Sequence, residues 1–87
     1  MKKINFQLRT TAVFKCIITF VDGTRKILRM TIDRVANFTY LFRSQQSHIF
    51  KDESYLFYMG CREFIAMSTV ASARFINERT GEELLAL

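Results

Sequence analysis

Few residue types in this chain could do covalent or metal chemistry, and their spacing does not assemble them. His48 is the one histidine of the 87 residues and has no obvious catalytic partner. Ser44, Ser47, Ser54, Ser68 and Ser72 sit in no nucleophile elbow, and neither a phosphate-cradling G-x-x-x-x-G-K-[ST] loop nor a G-x-G-x-x-G fingerprint occurs. Asp52 and Glu53 are adjacent, so an extended chain turns them to opposite sides, unlike an acid/base dyad or a metal site. Cys16 and Cys61 form no C-x-x-C and, with one histidine, make no zinc set; they read as reduced core thiols of a cytoplasmic protein. The expectation is a non-enzyme with no catalytic residue, no metal and no cofactor.

What remains is charge and aromatic surface. Residues 1–43 hold nine Lys/Arg against Asp22 and Asp33, whereas residues 44–87 hold four against six acids. A basic half beside a mildly acidic one suggests a polyanion-facing surface. Lys15, Arg25 and Arg29 fall in the stretch "FKCIITFVDGTRKILRMTID", which otherwise alternates as strands do. Tyr40, Tyr55 and Tyr58 are candidate stacking platforms, since aromatic rings flanked by Arg/Lys on a sheet are how small β domains hold single strands.

These residues need elements to place them. Asp22-Gly23 between two apolar alternations signals a hairpin. With a three-residue Val21-Asp22-Gly23 loop and Gly23 in the left-handed position, Cys16 faces Leu28 and Lys15 faces Arg29. One face then collects Ala12, Phe14, Cys16, Ile18 and Phe20, and the other Lys15, Arg25 and Arg29. A two-residue loop would mix both faces, so burial selects the longer one. Either an acidic segment from the second half of the chain or a bound anion must face those cations, because like charges across a ladder repel.

Residues 4–9, "INFQLR", alternate as a strand. Val35, Phe38, Leu41 and Phe42 recur at helical spacing, which predicts a helix near 34–45 with Asp33 as N-cap. "ESYLFYMGCREFIAMS" reads as a second hairpin around Gly60-Cys61, with Phe57 across from Phe64, and "ASARFIN" as the last strand. Glu82–Leu87 is too short for a helix unless it docks. No run approaches a membrane span, and "MKKINFQLRTT" lacks the apolar core of a signal peptide. The expected fold is α+β: one domain, one helix, and about six mostly antiparallel strands curled into a partly open barrel of Sm/SH3-like or PUA-like form.

"FIAMSTVASARFI", Phe64 to Ile76, resembles the strand, short turn and strand that end the Sm-like small barrels, an RNA-binding class. The resemblance implies an RNA-binding barrel. It departs from that family in placing the helix after the second strand and in lacking the second strand's Asp and Gly signature. A PUA-like pseudobarrel fits equally well.

The resulting expectation is a small basic regulatory protein of a bacterium, phage or plasmid. It binds single-stranded RNA, or DNA, through Lys15, Arg25, Arg29, Tyr55 and Tyr58. The alternative is a module that docks on an acidic protein surface and modulates or inhibits its partner. A third reading is a homo-oligomer joined through edge strands 4–9 or 72–77.

Overall fold

The β1–β2 hairpin sets the frame. In the computed structural model, which describes residues 12–47, 54–60 and 62–87, β1 (Val13–Phe20) pairs with β2 (Arg25–Thr31) in the expected register, Cys16 opposite Leu28 and Lys15 opposite Arg29. Gly23 takes φ 89°. Its N–H donates to the Phe20 carbonyl at 2.9 Å, while Asp22 Oδ1 accepts from the Thr24 N–H and hydroxyl. Those two bonds, the hydroxyl's first, hold the Asp22 carboxyl below its ordinary pKa.

The helix α1 (Ile32–Ser47) follows β2 without a loop. It is longer than the expected 34–45, and Asp33 lies inside its first turn rather than capping it. There the carboxylate still complements the positive end of the helix dipole. Val35, Phe38 and Phe42 are buried as their spacing predicts, but Leu41 sits at the margin of the core.

The second hairpin is β3 (Leu56–Gly60) and β4 (Glu63–Ala66). Its register differs by one residue from that expected: Phe57 faces Ile65, and Tyr58 faces Phe64. Gly60 and Arg62 both adopt positive φ, 91° and 63°, and the ladder shifts between Tyr58 and Gly60. This register buries Phe57 and Ile65 together on one side.

After a single 3₁₀ turn at Met67–Thr69, β5 (Val70–Asn77) pairs with β1, and β6 (Glu83–Ala86) pairs with β5. The four-stranded sheet therefore runs β2-β1-β5-β6, every neighbour antiparallel, with β3–β4 as a separate two-stranded sheet. Residues 72–77, expected as an edge strand, are not one, because β6 pairs along β5 and covers it. The segment 82–87, expected to be too short for a helix, holds the strand β6 through its pairing with β5. The edges of the sheet are β2 and β6 among the described residues. The strand expected at 4–9, the loop with His48, the pair Asp52-Glu53, and Cys61 lie outside the described residues.

One core joins these parts. Phe14, Cys16, Ile18, Ala73 and Phe75 from the sheet, Val35 and Phe38 from α1, and Phe57 and Ile65 from the hairpin form a single buried cluster. Phe38 meets Phe57 and Phe75 edge-on, with centroids 5.1 and 5.7 Å away. Arg34 fastens the hairpin to the helix: its Nη2 donates to the Tyr58 carbonyl, and its guanidinium lies 4.8 Å from the centre of the Phe57 ring. Buried Gln45 accepts the Tyr55 N–H at 2.8 Å, and the Tyr55 carbonyl accepts from Met67 N–H.

Candidate nucleic-acid interface

Alternation along each strand divides the four-stranded sheet into a face packed on the core and an outer face. The inner face carries Phe14, Cys16, Ile18, Ala73 and Phe75. The outer face can be read across the registers in rows. Arg25, Thr19 and Ser72 form one row, and Ile27, Ile17, Arg74 and Ala86 the next. Arg29, Lys15, Ile76 and Glu83 form the third. Lys15, Arg25, Arg29 and Arg74 are all exposed. Three of the five expected site residues, Lys15, Arg25 and Arg29, thus share one surface, and Arg74, outside that expectation, joins them. Its place was legible in principle, since Ala73 and Phe75 on either side are inward residues of the same strand.

The question of what faces the cations has a partial answer inside the chain. Asn77 pairs with Phe14, and the next N–H, that of Glu78, donates to the Val13 carbonyl at 3.0 Å. This turn delivers the Glu78 carboxylate to Arg29, whose Nε donates to Oε2 at 2.8 Å. The hydrogen bond from Arg29 holds the Glu78 carboxyl below its ordinary value, with smaller contributions from the charges of Arg29 and Lys15. Reciprocally, Glu78 raises the Arg29 guanidinium. A second pair repeats the arrangement: Arg74 Nε donates to Glu83 Oε1 at 2.6 Å from the adjacent strand β6. Lys15 and Arg25 are in no ion pair among the described residues.

The tyrosines lie elsewhere. Phe57 points into the core, so its neighbour Tyr58 points away from it, on the outward side of β3–β4. There the Tyr58 ring lies 5.0 Å from Phe64, and Leu56 flanks them, each of the three about half exposed. Tyr55 precedes β3, its backbone held by Gln45 and Met67. The fold therefore brings Lys15, Arg25 and Arg29 together but does not put Tyr55 and Tyr58 on their face. No aromatic residue occupies the outer rows of the four-stranded sheet.

A groove of about 720 Å³ runs between α1 and β6, lined by Ile32, Val35, Tyr40, Arg43, Leu84 and Leu85 among others. Its lining includes no carboxylate, histidine or cysteine. Among the described residues no three His, Cys, Asp or Glu side chains converge as a metal site, and no helix is long and apolar enough to cross a membrane. Cys16 is a free, fully buried thiol whose pKa burial pushes up to about 12. In comparisons with protein-family models, curated proteins and solved structures, the chain matches none.

Proposed function

We propose that this chain is a non-catalytic binding domain whose outer sheet face holds single-stranded nucleic acid, RNA foremost, by its phosphates. The observation that carries the reading is the projection of Lys15, Arg25, Arg29 and Arg74 from one face of one sheet. Such a face engages the backbone rather than the bases, because its rows hold four cations and no stacking ring. Tyr58 and Phe64 are then a separate stacking surface, available only to a strand long enough to pass around the domain. Part of the same proposal is a partly open barrel of Sm-like or PUA-like kind formed by the two sheets, in a cytoplasmic regulator of a bacterium, phage or plasmid.

The test is direct binding of purified protein to single-stranded oligonucleotides at several salt concentrations, after nuclease treatment to remove carried-over nucleic acid. The expected result is an affinity that falls with salt. Lys15→Gln and Arg25→Gln should each flatten the slope by about 0.7, the release term for one phosphate contact on a single strand. An affinity for no nucleic acid at any salt overturns the reading.

One observation favours a second reading, a module that docks on an acidic protein. Ile17 and Ile27 stand side by side at the middle of the same face, and Ile27 is 59% exposed. An apolar centre with an arginine rim is the anatomy of a protein interface. Ile27→Gln separates the two: it leaves phosphate binding near the parent's and weakens a protein complex.

A further inference from the structure

The two ion pairs on the outer face occupy two of the four guanidinium or ammonium groups that a ligand would use. Both carboxylates reach their arginines through the fold itself, Glu78 from the turn bonded to Val13 and Glu83 from its place across from Ile76 on β6. Both pairs are also open to water, with side-chain exposures of 69% and 42% for Arg29 and Glu78, and 57% and 41% for Arg74 and Glu83. Exposed pairs of this kind are weak, so an incoming anion can displace them.

We infer that Glu78 and Glu83 set the selectivity of this face: they are tethered stand-ins for two phosphates, and only a polyanion that supplies several phosphates at once displaces them. This rests on the nucleic-acid reading of the same face. A single phosphate or a lone carboxylate must compete with a carboxylate already attached to the chain at high local concentration. A phosphodiester strand anchored by Lys15 and Arg25 competes on equal terms, and it offers each guanidinium a bidentate partner in exchange. A displaced glutamate takes up a cation from solution, which cancels the counterion its phosphate released. The parent therefore shows a shallower salt slope than its four cations imply.

The experiment measures binding of a short oligouridylate at several salt concentrations by the parent, Glu78→Gln, Glu83→Gln and the control Glu82→Gln. Glu82 is exposed at the turn into β6, is in no ion pair among the described residues, and its loss changes net charge equally. Circular dichroism and melting confirm that each variant is folded. The expected result is a gain of about two- to fivefold in affinity for each of Glu78→Gln and Glu83→Gln, the factor an exposed pair is worth. Each should also steepen the slope by about 0.7, with little change for Glu82→Gln. Inorganic phosphate should compete better against the double Gln variant than against the parent.

Equal gains in all three variants overturn the inference in favour of a net-charge effect. A parent that binds while Glu78→Gln and Glu83→Gln leave affinity and slope unchanged overturns it and leaves the nucleic-acid reading standing. A double variant as inert as an inert parent overturns both.

Discussion

Lys15 stands directly opposite Arg29 across the β1–β2 ladder, like charge facing like charge. In isolation this pairing is destabilising. The sheet tolerates it because a carboxylate 49 residues further along the chain, Glu78, hydrogen-bonds Arg29 and feels the charge of Lys15 as well. The sharing of one anion between two cations gives the outer face its character, partly neutralised by its own chain and still net positive.

The turn that sets this register depends on Gly23. A Cβ added there meets no atom within 4 Å, so the cost of a side chain is backbone strain from φ 89° and not a clash. Gly23→Val is expected to destabilise the domain by about 1–3 kcal/mol. Gly23→Asn should cost less, since asparagine tolerates the left-handed region. Thermal melts of both variants test this, and equal losses would point to packing instead.

Phe38 lies between Phe57 and Phe75 and is fully buried. Phe38→Ala should cost about 3–5 kcal/mol, the range for an aromatic removed from a core. Leu41, at the core margin, should cost clearly less, and Tyr40→Ala, at a residue of α1 that is 68% exposed, should stay within about 0.5 kcal/mol. Denaturant titrations give the order. A loss at Leu41 equal to that at Phe38 would mean the helix is rotated about its axis.

How much of this was legible follows from contrast between faces. The β1–β2 register could be read because only one pairing gives a clean apolar side. In β3–β4 both sides are apolar: Leu56, Tyr58 and Phe64 outside are as hydrophobic as Phe57 and Ile65 inside. Alternation therefore carries no contrast, and the register lies one residue from the one it predicts. β6 has no local signature, because "ELLA" is short and becomes a strand through its pairing with β5, Leu85 opposite Phe75 and Ala86 opposite Arg74. Likewise the cations Lys15, Arg25 and Arg29 could be placed on one face. Glu78, the partner of Arg29, could not, because the adjacency of β1 and β5 is a tertiary fact with no local signature.

Burial suppresses the chemistry of Cys16. With its pKa near 12, its thiolate population at pH 8 should be about a thousandfold below that of an ordinary thiol. In a Cys61→Ser background, alkylation of Cys16 should be slow under native conditions and become fast in denaturant. Labelling at the rate of a free thiol in the folded protein would place β1 at a more open position than the core cluster.

Acid should weaken the Arg29–Glu78 pair in a defined direction. The folded-state pKa of Glu78 is lowered from 4.5, chiefly by the hydrogen bond from Arg29. The pair's contribution is then fully present above 4.5 and is lost as pH falls through the lowered value. The difference in Tm between parent and Glu78→Gln should be constant from pH 7 to about 5 and close below 4.5. A difference that widens on acidification contradicts the assignment.

The shared anion also predicts a coupling between Lys15 and Glu78 that either residue's own substitution would hide. In the parent, Lys15→Gln removes both a repulsion from Arg29 and an attraction to Glu78, so Tm should move little. In a Glu78→Gln background the attraction is already gone. Lys15→Gln then relieves only the repulsion, and Tm should rise by a few degrees. The effect should shrink as salt screens these exposed charges, largely vanishing when the Debye length falls to about 3 Å near 1 M. The four chains of this double-mutant cycle, melted at low and high salt, isolate the interaction. A Lys15→Gln shift of the same size in both backgrounds would show that Glu78 serves Arg29 alone, and that the cross-strand pair of cations is balanced by solvent ions.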